Sequence, residues 1–406
     1  MSHYIHRTLQ SSLARAVADF PVVVLTGPRQ SGKTTMVKHC LGDHYDYVSL
    51  DAPDVREAAA GDPRGFLALH KPPLVIDEIQ HVPELLSYIK ENVDANRQSK
   101  GGYVLIGSQN LLLLSRVSET LAGRAAVLRL MPLTMREQAG DPGRGLPWDT
   151  DCAAGCTAPI RLLPLWDGLV RGSYPELTRE PARDAVAWQA SYVQTYLERD
   201  VRDVRQVGDL GSFQAFVRAL AARSGQLLNL SDVARDIGVS HGTARAWLSV
   251  LEATFQVVIL RPYHANIGKR LIKTPKLYFS DTGVLCYLLG MTRPELAMGG
   301  PLRGQLFETL VVAEIYKTML HAGSAPRMYF WRTATGVEVD LLIETPAGLV
   351  PVETRASATP RSAMASAIHA LRQDLGAVVL PGYVIHAGDV SLPMGDRTVA
   401  LPYSLL

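Results

Sequence analysis

Residues 27–34 read Gly-Pro-Arg-Gln-Ser-Gly-Lys-Thr, the spacing G-x-x-x-x-G-K-T. An apolar run, Val22 to Leu25, precedes them with the length of a buried strand. Thr35-Met-Val-Lys-His-Cys-Leu41 follows with the residue types of a helix. Strand, glycine-rich loop and helix in this order form a cradle for a polyphosphate. Gly27 and Gly32 permit backbone angles that bend the loop Pro28, Arg29, Gln30, Ser31 around an anion. The helix start at Thr34 and Thr35 adds its partial positive charge. Lys33 is expected to reach the β- and γ-phosphates, and Thr34 to offer a hydroxyl to Mg²⁺. The ligands this chemistry predicts are ATP and Mg²⁺.

A second apolar run, Leu74-Val-Ile76, ends in Asp77-Glu78 about 45 residues further on. That order suits a carboxylate on Mg²⁺ (Asp77) beside one that polarises the attacking water (Glu78). A third run, Gly102-Tyr-Val-Leu-Ile-Gly107, ends in Ser108-Gln-Asn110. In P-loop ATPases of the additional-strand type a polar residue here senses the γ-phosphate; Ser108, Gln109 and Asn110 all qualify. Arg124, at the end of a glycine turn, suits either charge stabilisation on the transferring phosphoryl group, in its own chain or across a subunit boundary, or a surface salt bridge.

The elements that must hold these groups fit a chain of 406 residues, 47% hydrophobic and 20% charged, long enough for two to four domains. No apolar run reaches the roughly 18–20 residues of a membrane span. The first residues, Met-Ser-His-Tyr-Ile-His-Arg, lack the apolar core of a signal peptide. Cys40, Cys152, Cys156 and Cys286 show no disulfide or zinc spacing, so a reducing, cytoplasmic setting is expected. A formal net charge of +2 excludes a global polycation, leaving nucleic-acid affinity to local patches.

Composition divides the chain into a nucleotide-binding α/β domain over 1–140, a linker and helical, lid-like region over 141–205, a winged helix over 206–265, and an α/β domain over 266–406. In the third, Ser231 reads as the cap of a short helix ending at Ile237, Gly238-Val239 as a turn, and Ser240 as the cap of a second helix with Ala244, Trp247, Leu248 and Leu251 inward. Ser240, His241, Thr243 and Arg245 then face DNA, or the module serves packing alone. From Ala253 to Ser280 no acid occurs; Arg261, Lys269, Arg270, Lys273 and Lys276, interleaved with aromatics, read as phosphate contacts or a solvated basic loop. In the fourth, Val337–Glu344 and Leu349–Arg355 read as a hairpin. Its Asp340 and Glu353 carboxylates could meet at one metal, with Arg355 on the face of Glu353 and Glu308 on a preceding helix.

With these motifs assembled, the chain resembles bacterial and archaeal ATPases that join an AAA-type P-loop domain to a C-terminal domain of unknown function. Gly27–Thr34, Val-Ile-Asp-Glu-Ile-Gln at 75–80, Leu-Ala-Gly-Arg at 121–124, Pro-Leu-Thr at 132–134, Phe-Ser-Asp-Thr-Gly at 279–283, Gly-Gln-Leu-Phe-Glu at 304–308, Trp331-Arg332 and Glu338-Val-Asp340 carry the likeness in order. The resemblance implies ATP binding and hydrolysis through Lys33, Thr34, Asp77 and Glu78, a winged helix, and a C-terminal fold similar to restriction-endonuclease-like nucleases. Against the nuclease pattern of Asp, then Glu-x-Lys, this chain has Asp340, Glu353 and Arg355. An arginine stays protonated and replaces a lysine poorly. The leading expectation is an ATPase coupling nucleotide state to DNA or a partner protein, as monomer or homo-oligomer. An ATP-switched DNA-binding regulator and an ATP-gated, metal-dependent nuclease are the alternatives.

Overall fold

Alternation along Val22–Thr26 (β1) builds the first layers. The computed structural model describes residues 4–96, 98–107, 117, 119–149, 163–197, 210–263 and 274–406. All five residues of β1 are buried: Val22 and Val24 face one cluster, Val23 and Leu25 the other. Helices Leu9–Asp19 and Lys33–Leu41 cover the second face. Pro53–Gly61, Pro63–Leu69 and Leu85–Ala95 cover the first. Asp62 separates the two shorter helices, its carboxylate accepting from Gly65 N (2.9 Å).

Among the described residues β1 lies in a parallel five-stranded sheet with Asp46–Ser49 (β2), Leu74–Asp77 (β3), Tyr103–Ile106 (β4) and Ala125–Arg129 (β5), in the order β2-β3-β4-β1-β5. β4 stands between the strand that opens the P-loop and the strand that ends in Asp77. This is the additional-strand order, and it sets loop and carboxylates side by side at the C-terminal edge of the sheet. The fold class is α/β, with a P-loop parallel sheet of the AAA type.

A second sheet runs β13-β14-β12-β11-β10-β9-β7-β8-β6. Its members are Gln226–Leu227 (β6), Val257–Pro262 (β7), Lys276–Phe279 (β8), Met328–Arg332 (β9), Glu338–Thr345 (β10), Gly348–Arg355 (β11), Gly382–His386 (β12), Leu392–Pro393 (β13) and Thr398–Pro402 (β14). The sheet passes without a break across residue 265, because β7 pairs with β8 on one side and, in parallel, with β9 on the other. Helix Arg303–His321 covers one face with Phe307, Val311, Val312 and Ile315; Ser366–Leu375 covers the other with Leu371. The hairpin expected over 337–355 is present. The last parallel strand, β14, carries too weak an apolar pattern to stand out in the sequence.

The helix pair after β6 is Leu230–Asp236 and His241–Ala253. The cap of the first is Asn229, not Ser231: its side chain accepts from Ser231 N and Asp232 N. Ser240 caps the second as expected, accepting from Thr243 N at 3.0 Å. Ala244, Trp247 and Leu251 are buried against Phe213 and Phe216 of helix Leu210–Ala221, and Leu248 packs at the margin.

Candidate nucleotide site

The P-loop leaves β1 through Gly27, whose φ of +149° no L side chain adopts easily. A Cβ there would lie 2.1 Å from the Leu130 carbonyl oxygen. Gln30 (φ 61°) and Gly32 (φ 90°) complete the turn in the left-handed region. Lys33 is buried, and its Nζ donates to the carbonyls of Gly27 (3.0 Å) and Pro28 (2.8 Å). The loop thus holds its own ammonium over its concave side. Thr35 and His39 project from the exposed side of the following helix.

Two sequence-predicted groups meet across β4. Thr34 Oγ1 donates to Asp77 Oδ2 at 2.7 Å, and Asp77 is 4% exposed. Asp77 Oδ1 accepts from Glu78 N at 3.0 Å. Glu78 takes φ 57°, ψ 42° at the end of β3, a left-handed conformation that turns its side chain off the strand direction. Gln80 donates to its carboxylate. A hydroxyl and a carboxylate brought together beside a glycine cradle are hard oxygen donors, the set that Mg²⁺ takes.

Sequence reasoning missed three contributors. Tyr47, on β2, donates its hydroxyl to the same Asp77 Oδ2 at 2.6 Å, with Lys38 Nζ over its ring. Burial, helped by this bond, pushes its phenol above the ordinary range. An alternating β2 (Asp-Tyr-Val-Ser) could have flagged it, since β2 neighbours β3. Arg7 is buried and donates to the Ser31 carbonyl inside the P-loop at 2.7 Å. A cavity of about 280 Å³ opens beside Gly32 and Thr35, walled by Tyr4, His39, Leu133 and Arg179, with Tyr4 stacked on His39 (centroids 3.7 Å apart, 19° between planes). Of these, Tyr4, Arg7, Leu133 and Arg179 lie too far from the motif along the chain for spacing to reveal them.

Arg124 is placed elsewhere. It sits at the opposite end of the sheet, before β5, separated from the P-loop by the five-residue β1, about 16 Å of strand. Its guanidinium pairs with both oxygens of Asp94 at 2.8 and 3.0 Å. A role at the site of its own chain is excluded by this placement, because the phosphate cradle forms only at C-terminal strand ends. Ser108, Gln109 and Asn110, like Cys152 and Cys156, lie outside the described residues.

The C-terminal acids gather, but around the chain's own cations. Arg355 lies 2.7 Å from Glu353 and 3.3 Å from Asp340. Thr354 N and Oγ1 both donate to Asp340 Oδ2 at 2.9 Å. Lys276, expected as a surface phosphate contact, is instead buried: its Nζ pairs with Glu308 at 2.9 Å and with Glu338. Tyr278 also donates to Glu308, at 2.6 Å. Burial first, then Asp340, push the Glu308 carboxyl up to about 7, and Lys276 only partly opposes them. The same two causes raise Glu353 well above the usual carboxylate range. Among the described residues no three His, Cys, Asp or Glu side chains are arranged as a metal-ligand set. Lys276, from β8, thus closes an ion network with Glu308 and Glu338, while Arg355 holds Glu353 and Asp340.

Of the remaining basic run, Arg261 is exposed on β7, while Lys269, Arg270 and Lys273 lie outside the described residues. Tyr278 and Phe279 are core. Ser240, His241 and Arg245 are exposed at the start of helix His241–Ala253, with Thr243 half-buried. Asp281, from the Phe-Ser-Asp-Thr-Gly motif, accepts from Ser173 N and Oγ and caps helix Thr282–Leu288, a structural task. No helix among the described residues is long and apolar enough to cross a membrane.

Comparison with known proteins assigns residues 19–139 to an AAA domain, 164–295 to a domain of unknown function (DUF8612), and 303–406 to a second (DUF4143). Uncharacterized proteins of Mycobacterium tuberculosis and Mycobacterium bovis are each 31% identical over 400 residues, covering 98% of this chain and 83% of theirs. Among solved structures, a Walker-type ATPase of Pyrococcus abyssi aligns over 70% of this chain and 96% of its own, at 14% identity and a TM-score of 0.46. RuvB of Thermotoga maritima aligns over 62% and 88%, at 17% identity and a TM-score of 0.29. With its AAA domain in front and two domains of unknown function behind, the chain belongs to the family of these two mycobacterial proteins.

Proposed function

We propose that this protein is a Mg²⁺-dependent ATP hydrolase that couples nucleotide turnover to DNA or to a partner protein. The observation that carries the hydrolase reading is the Thr34–Asp77 bond, 2.7 Å across β4, with Glu78 next in sequence and turned off the strand. Thr34 and Asp77 would hold Mg²⁺, which supplies charge neutralisation on the phosphates. Lys33 exchanges its two loop carbonyls for phosphate oxygens, acceptors of higher charge. Glu78 orients and polarises a water, which a pure nucleotide switch does not require. The cavity between Tyr4 and Arg179 takes the base, on an aromatic wall adjoining the helix start.

The test is nucleotide binding and phosphate release by wild type, Lys33→Ala and Glu78→Gln. Lys33→Ala should lose both. Glu78→Gln should keep binding and lose turnover by roughly a hundredfold or more. Unchanged release in Lys33→Ala sinks the assignment.

The DNA reading rests on a winged-helix arrangement: helices Leu230–Asp236 and His241–Ala253, then the β7–β8 pair, with Ser240, His241 and Arg245 exposed. An arginine acting on phosphates from a neighbouring copy would require Arg124 to leave Asp94 in a homo-oligomer.

A further inference from the structure

We propose that Arg7 is a positioning residue for the phosphate loop and that, through Glu137 and His321, it ties the nucleotide site to helix Arg303–His321. The proposal rests on the nucleotide-binding reading above.

Three residues far apart in sequence form this link, all buried. Arg7 NH1 donates to Ser31 O and NH2 to Met131 O, both at 2.7 Å, so one planar fork joins the P-loop to the segment after β5. Its Nε lies 3.1 Å from Glu137 Oε2. Glu137 is a hub: its carboxylate accepts from Thr8 N (2.8 Å) and Thr134 N (2.9 Å), the latter within a capping box. Its Oε1 is 3.1 Å from His321 Nδ1. Burial alone would raise this carboxyl, but Arg7 and His321 outweigh it and hold it well below the usual range. His321 Nε2 accepts from Met131 N at 3.0 Å, so the proton of the neutral ring sits on Nδ1, facing Glu137. Met131 therefore gives its N–H to helix Arg303–His321 and its carbonyl to Arg7. One turn earlier Lys317 Nζ donates to Leu133 O (2.7 Å), and two turns earlier Glu314 accepts from Met135 N (2.6 Å). The helix thus grips residues 131–135 at three side chains, and that segment is bolted to the P-loop by Arg7. A shift of Ser31 on phosphate binding has no solvent layer in which to dissipate before it reaches His321.

The experiment uses the full chain and has two arms. In the first, ATP affinity and steady-state kinetics are compared for wild type and Arg7→Lys, which keeps the charge beside Glu137 but cannot span both carbonyls. The expected result is a KM for ATP raised roughly tenfold or more with kcat less affected, the loss of a charged hydrogen bond. An unchanged KM in folded Arg7→Lys overturns the positioning role. In the second arm, hydrogen exchange is followed with and without ATP in wild type, His321→Phe and His321→Gln. Wild type should slow exchange in both the P-loop and helix Arg303–His321. His321→Phe should keep the first effect and lose the second, and His321→Gln, which retains a donor and an acceptor, should restore part of it. ATP that protects the P-loop of wild type but leaves the helix unmoved overturns the link while leaving the nucleotide site standing. Absence of ATP binding by wild type overturns the nucleotide reading and this proposal with it.

Discussion

At the scale of single residues, the site depends on groups that hold other groups. Asp77 Oδ2 accepts from both Thr34 and Tyr47, so its position is fixed before any ligand arrives. Tyr47→Phe should raise the Mg²⁺ concentration for half-maximal turnover by roughly tenfold, the usual cost of an outer partner of a metal ligand. A Mg²⁺ titration superimposable on wild type would remove Tyr47 from the site. Gly27 is bound by geometry rather than chemistry: φ is +149° and Leu130 O stands where a Cβ would go. Gly27→Ala should cost about 1–3 kcal/mol of stability and abolish nucleotide-dependent stabilisation. Thermal denaturation with and without ATP reads both, and a variant that keeps the wild-type shift would contradict the placement.

Among elements, β8 changes most in meaning between sequence and structure. Its Lys276 looks like part of a basic surface run, yet it is buried between Glu308 and Glu338, because β8 pairs with β7 and lies under helix Arg303–His321. The network has a signature in pH. Glu308 has a folded carboxyl at about 7, above the value of about 4.3 in an unfolded chain. Between these values the folded state binds more protons, so this group's contribution to stability falls as pH rises from about 4.5 to 7 and is level beyond. Glu308→Gln should remove that decline, read from urea midpoints between pH 4.5 and 7.5. A slope equal to wild type would place the ionisation elsewhere.

In the molecule as a whole, helix Arg303–His321 lies between the first sheet and the second, nine-stranded one, with its apolar side on the second sheet and its Glu314, Lys317 and His321 on the segment after β5. Coupling to DNA, if the exposed start of helix His241–Ala253 makes it, predicts that duplex DNA changes the rate of phosphate release. Arg245→Ala should blunt that change and leave the DNA-free rate as it is. A rate indifferent to single-stranded and duplex DNA would direct the search to a protein partner.

Sequence by itself determined the P-loop, the Asp77-Glu78 strand end, the buried strand β1 and the hairpin that carries Asp340 and Glu353. In these the chemistry is local: a glycine turn, an apolar run and a strand end are each written within a few residues. It missed the cap at Asn229 by two residues, since Asn and Ser both accept N–H bonds and only the backbone path chooses between them. Tertiary structure alone decided that Lys276 is core, that Arg124 pairs with Asp94 at the far end of the sheet, and that Arg7 and Tyr47 reach the nucleotide site. Those outcomes depend on which strands become neighbours and on which charges are enclosed together. Burial changes the cost of a charge by more than any local pattern can, and it is a property of the assembled sheets.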